Sequence, residues 1–161
     1  MKYFNTAGPV RCDEHYCLPP LERFDLEEIL SLIDQKKYFV LHAPRQTGKT
    51  SCLLALQEYL NKEGRYRALY VNVEGAQAAR EDVYLGIKTI LSVMESRVRR
   101  YWKREIDEDF ELVLNKRGPD DALREYLSII SEVSERGMIL MLDEIDSLVG
   151  DTLISVLRQL R

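Results

Sequence analysis

The segment Ala43, Pro44, Arg45, Gln46, Thr47, Gly48, Lys49 and Thr50 lies between the apolar run Tyr38 to Leu41 and a stretch with helical spacing. A loop of this composition between a strand and a helix constrains the fold more than any other feature of the chain. A polyanion such as a triphosphate needs backbone N–H groups that can close around it, a helix N-terminus behind them and a fixed cation. Gly48 lets the backbone curl, Lys49 can reach the β- and γ-phosphates, and the Thr50 hydroxyl can ligate Mg²⁺, with Ser51 next in the helix. The segment therefore reads as a phosphate-binding loop. Ala43 stands where a first glycine is usual, which fits if it closes the strand with φ below zero. An ordinary strand-to-helix turn containing glycine is the alternative.

The flanks favour the loop. Tyr38 to Leu41 is a short β-favouring run. After Thr50, Leu53, Leu54, Leu56 and Leu60 recur at helical spacing, and Gly64 supplies a left-handed stop. Further on, Gly137 to Leu142 is continuously apolar and ends in Asp143, Glu144 and Asp146. That is the pattern of a parallel strand buried on both faces, with its functional end at the carboxyl edge, where acids would meet the loop. Asp143 is the expected Mg²⁺ carboxylate, acting through a water ligand because Mg²⁺ sheds water reluctantly. Glu144, free of the metal, is the expected base for an attacking water. The competing reading is an acidic helix start placed by dipole interaction.

The pair formed by residues 43–50 and 138–146 resembles the Walker A and Walker B motifs of P-loop NTPases, in the division with an added catalytic glutamate that includes AAA-type ATPases. Residues 4–9, 15–23 and 143–161 extend the resemblance to prokaryotic AAA-like ATPases of archaeal and STAND type. The resemblance implies an α/β fold, a three-layer P-loop sandwich with a mostly parallel sheet. It implies ATP and Mg²⁺ as ligands, hydrolysis by Glu144 and Lys49, and coupling to an attached C-terminal domain or to a homo-oligomer. In a homo-oligomer, Arg158 and Arg161 are arginine-finger candidates by position. By the same resemblance His15, Tyr16 and Leu18 are candidates for the base pocket, and Asn72 or Glu74 for restraining Glu144. A packing arm and a surface strand end are the corresponding plain readings.

With 161 residues, 45% hydrophobic and 31% charged, the chain can bury one core but hardly two. No apolar stretch approaches the ~20 residues of a membrane span, and no signal peptide opens the chain, so the expected location is cytoplasmic. The net charge of −4 argues against a chain-wide attraction to nucleic acid. Cys12, His15 and Cys17 lack the fourth ligand of a closed zinc site, and three cysteines in a cytoplasmic chain read as reduced thiols.

Two regions follow from this organisation. Residues 1–36 form an arm and a helix, from about Asp25 to Gln35, that lead to the nucleotide pocket. Residues 37–161 form the N-terminal part of the ATPase domain, with a helical insertion at about 78–117. Ala68 to Glu74 is the expected second strand. Val83, Ile87, Ile90, Leu91, Met94, Val98 and Trp102 mark one stripe on a helix of about six turns. Between Arg97 and Arg104 five basic residues accompany Tyr101 and Trp102, a pattern able to bind nucleic acid but also one that a helix C-terminus favours, with Glu105, Asp107, Glu108 and Asp109 following. A helix from about Pro119 to Glu135 leads into the Walker B strand as a crossover. After a last helix, Leu148 to Arg161, no strand follows, and the expectation is a chain truncated before its sensor strand. A slowly hydrolysing nucleotide switch and a nucleic-acid-associated ATP-binding module are the alternative functions.

Overall fold

The computed structural model describes residues 2–6, 11–44, 46–102 and 109–161. The chain folds as two compact units, Met1–Gly64 and Arg65–Arg161.

In the first unit, a short parallel bridge pairs Tyr3 with His15. A 3-10 helix at Pro20–Arg23 follows two prolines whose fixed φ favours such a turn. Helix α1 (Leu26–Asp34) starts where Asp25 accepts a hydrogen bond from the Glu28 N–H at 2.9 Å, so its first turn is capped. It buries Ile29 and Ile33, one turn apart. Helix α2 (Lys49–Glu63) begins after Gly48 and ends at Gly64, both left-handed, at φ 80° and 85°. Leu53, Leu56 and Leu60 are buried at helical spacing.

The run Tyr38 to Leu41 is not a strand. The sheet among the described residues has two members, and this run is neither. It keeps the alternation of a strand, with Tyr38 and Val40 87% and 84% exposed against 37% and 36% for Phe39 and Leu41. Extended backbone forms a strand only where a neighbour takes its N–H and C=O groups, and no ladder reaches this segment.

The second unit holds the sheet. Strands β1 (Tyr66–Asn72) and β2 (Gly137–Asp143) pair in parallel, with Tyr66 opposite Gly137 and Asn72 opposite Asp143. β1 begins and ends two residues earlier than its sequence pattern suggests, and Glu74 instead opens a 3-10 helix, Glu74–Ala79. β2 is only half-buried over Met138 to Leu140, whereas Ala68 to Val71 of β1 are fully covered. Burial on both faces thus belongs to β1.

The intervening helices build the core. Helix α3 (Val83–Trp102) buries Ile87, Ile90, Leu91, Met94, Val98 and Trp102, the stripe its sequence carries. Helix α4 (Phe110–Arg117) starts with Asp109 accepting from the Leu112 N–H, adding Val113 and Leu114 to the same core. Helix α5 (Ala122–Ser134) contributes Leu123, Tyr126 and Ile130. Asp120 and Asp121 precede α5 rather than occupying its first turn. Its start is capped from a distance: Oε1 of Gln159, in helix α6 (Gly150–Gln159), accepts from the Leu123 N–H at 2.8 Å, and Gln159 Nε2 donates to the Pro119 carbonyl at 2.8 Å. A β-carbon at Gly86 would lie 2.4 Å from Thr152 Cγ2, so α3 and α6 meet at a residue that has no room for a side chain.

Candidate functional site

The loop before α2 is shaped by two left-handed residues, Gln46 at φ 59° and Gly48 at φ 80°. Glycine accepts this conformation freely, while glutamine is held there at a cost of roughly 1–2 kcal/mol. Ala43 is not among the positive-φ residues. Arg45 lies outside the described residues. The Thr47 hydroxyl donates to the Pro44 carbonyl at 2.7 Å, and Lys49 Nζ donates to the Ala43 carbonyl at 2.8 Å. The ammonium therefore reaches from the first residue of the helix back to the first residue of the loop. Thr50 and the buried Ser51 complete the opening turn of α2.

Two properties of this helix start favour an external anion. No side chain caps it at Gly48, and its first turn contains no acidic residue. The dipole rewards negative charge at that end, and most surface helices supply it themselves. The groups present are amide N–H, hydroxyls and an ammonium, a donor set that matches phosphate oxygens.

Sequence reading overlooked a brace on the loop. Arg23, ending the 3-10 helix of the arm, donates from Nη2 to the Thr47 carbonyl at 2.5 Å, and its Nη1 would lie 2.5 Å from a β-carbon placed on Gly48. Cys52 Sγ donates to the Pro20 carbonyl at 3.3 Å, tying the same turn to α2. Burial raises the Cys52 thiol pKa above its ordinary value, while Arg23 acts in the opposite direction. Only the composition of the 15–23 segment hinted at a docked arm.

His15 is buried, its Nδ1 accepts from the Arg11 N–H at 3.0 Å, and Tyr3 packs edge-on against its ring at 4.8 Å. Tyr16 and Leu18 are exposed. Cys12 and Cys17 form a disulfide, with Cα atoms 5.1 Å apart, so these two are not the reduced thiols expected of them and are not available as metal ligands. Five residues of separation bring the two sulfurs within reach across one turn.

In the second unit the acids end β2. Asp143 is 5% exposed, and its carboxylate accepts from the Tyr70 hydroxyl at 2.9 Å through Oδ2 and from the Glu144 N–H at 3.1 Å through Oδ1. Glu144 is exposed and left-handed, at φ 61° and ψ 34°, and makes no capping hydrogen bond to the short 3-10 helix Ile145–Ser147. A glutamate at an uncapped helix start in a disfavoured conformation is poorly explained by capping. Asn72 accepts from the Glu74 N–H at 2.8 Å, a local turn at the strand end. That contact fits the plain reading of Asn72.

The basic end of α3 is engaged internally. Arg97 lies over the Tyr70 ring at 5.8 Å, Arg99 pairs with Glu95 at 3.2 Å, and Arg100 lies over Tyr101 at 5.9 Å. Lys103 and Arg104, with Glu105, Asp107 and Glu108, lie outside the described residues. Arg158 and Arg161 are exposed at the end of α6 and just beyond it.

Among the described residues no group of three or more His, Cys, Asp or Glu is gathered as a cation cage. Mg²⁺ needs no such cage, since phosphate oxygens and water fill most of its positions and one or two protein oxygens suffice. No helix among the described residues is long and apolar enough to cross a membrane. No protein family, no curated protein and no solved structure matches this chain.

Proposed function

We propose that the protein binds Mg·ATP through residues 43–51 and hydrolyses it to drive a conformational change in a partner or attached domain. The observation that carries this reading is the loop itself. Lys49 Nζ is drawn back to the Ala43 carbonyl across a left-handed Gly48, at a helix start that has neither a side-chain cap nor an acid. In that reading Lys49 neutralises and orients the β- and γ-phosphates, and the N–H groups of the loop and first turn take the remaining oxygens. Thr50 and Asp143 are each assigned to the metal, which would neutralise charge on the transferred phosphoryl group. Glu144 holds the attacking water and accepts its proton, a task suited to an exposed carboxylate. The finer architecture, a three-layer P-loop sandwich, belongs to the same proposal. The alternating exposure of Tyr38 to Leu41 supports it, because such a pattern suits a strand that lacks only a neighbour.

The test is the melting temperature with and without saturating Mg·ATP, in wild type and in Lys49→Ala. Ligand at about 100 times its dissociation constant adds about 2.7 kcal/mol of apparent stability. The expected result is a rise in wild type that Lys49→Ala loses. Equal rises in both proteins would overturn the assignment of the site. A cooperative melt that nucleotide never moves would overturn the reading of the loop.

A further inference from the structure

The partner of Asp143 is supplied by the neighbouring strand. Register places Asn72 directly opposite Asp143 and Tyr70 opposite Met141, so Tyr70 reaches Asp143 along a diagonal. Strands about 4.8 Å apart with a rise of about 3.3 Å per residue put such a diagonal at roughly 8 Å between α-carbons, within reach of a tyrosine hydroxyl and beyond that of a serine. Tyr70 is 4% exposed, and its ring is covered by the Arg97 guanidinium of α3. One carboxylate oxygen is thus held by a side chain fixed in the core, and the other by the backbone N–H of Glu144.

We infer that Tyr70 is a positioning residue for the metal-binding carboxylate, an inference that rests on the Mg·ATP reading. A carboxylate that must stop rotating when it meets a hydrated cation loses affinity to that ordering. The Tyr70 hydroxyl removes the loss in advance by fixing the plane of the group. Partners of this kind typically change metal affinity 10–100-fold when removed. Tyr70 touches no phosphate in this scheme, so its effect is confined to the metal.

The experiment titrates Mg²⁺ into protein already saturated with ATP in chelator-treated buffer and follows the melting temperature. It compares wild type, Tyr70→Phe and Asp143→Asn. Tyr70→Phe keeps the ring that Arg97 covers and removes only the hydroxyl. The expected result is an unchanged shift from ATP alone, with the Mg²⁺ midpoint raised about tenfold. Asp143→Asn should lose most of the Mg²⁺-dependent part. A Tyr70→Phe midpoint equal to that of wild type, beside a displaced one for Asp143→Asn, would overturn the inference and leave the Mg·ATP reading standing. Loss of the ATP-only shift in Tyr70→Phe would assign Tyr70 a structural role and also overturn it. Failure of wild type to respond to ATP would overturn both.

Discussion

Replacing Gly48 by alanine perturbs the loop at its most constrained point. The residue has φ 80°, where a β-carbon costs roughly 1–2 kcal/mol. That β-carbon would also lie 2.5 Å from Arg23 Nη1, too close to remain there. The guanidinium ends a flexible side chain and can swing away, but it then gives up its bond to the Thr47 carbonyl. An exposed bond of this kind contributes about 0.5–1 kcal/mol. Together the two effects give a loss of about 1.5–3 kcal/mol, or about 3–12 °C in Tm for a chain of this length. The two terms separate in a double-mutant cycle, because Arg23→Ala removes the obstruction before the alanine arrives. The Gly48→Ala and Arg23→Ala costs, measured by urea unfolding, should therefore sum to more than the double variant by about 0.5–1 kcal/mol. A Gly48→Ala protein within about 0.5 kcal/mol of wild type would refute the backbone argument. Additive single effects would refute the brace.

Glu144→Gln should retain the nucleotide-induced rise in Tm and lose turnover; hydrolysis at the wild-type rate would remove Glu144 from the role of base. Tyr126 offers a separate check on the core. Its hydroxyl is buried without a hydrogen-bond partner among the described residues, so Tyr126→Phe should be neutral or stabilising by up to about 1 kcal/mol in urea unfolding. Burial, followed by the nearby Glu95 charge, raises its pKa in the folded protein, while the unfolded chain deprotonates near the ordinary value of about 10. Above that pH the unfolded state binds fewer protons than the folded state, so this contribution to stability is complete below about pH 10 and falls as pH rises beyond it. Tyr126→Phe should flatten that part of the profile, and an unchanged alkaline slope would show that another group controls it.

Periodicity disclosed those parts of the fold that depend on near neighbours. The stripe of α3 and the glycine stop of α2 follow from the 3.6-residue repeat and from left-handed geometry, both written in consecutive residues. The cap on α5 is different. Gln159 supplies it from 36 residues away, while the two adjacent aspartates, the obvious candidates, leave that role unfilled. Tyr38 to Leu41 fails as a strand for a related reason. β-propensity describes how side chains suit a pleated surface, but a ladder needs a second chain segment that composition does not reveal. The disulfide likewise depends on two sulfurs meeting across a turn, which an odd cysteine count obscures.

The candidate site divides along the same line. Gly48, Lys49 and Thr50 are neighbours in the chain, so the chemistry they offer an anion is legible as a string. The groups that hold the loop, and the one that holds the Asp143 carboxylate, are distant in sequence: Arg23 lies 24 residues from Thr47, and Tyr70 lies 73 residues from Asp143. Both are ordinary residues in their own segments, one ending a short helical turn and the other lying within a buried strand. Their significance arises from docking and register, which bring a guanidinium to a loop carbonyl and a phenol to a carboxylate. A motif therefore identifies the groups that could meet a ligand, while the long-range contacts determine how firmly each is aimed. That distinction is why Lys49→Ala and Tyr70→Phe should fail differently, the first in nucleotide binding itself and the second only in its dependence on Mg²⁺.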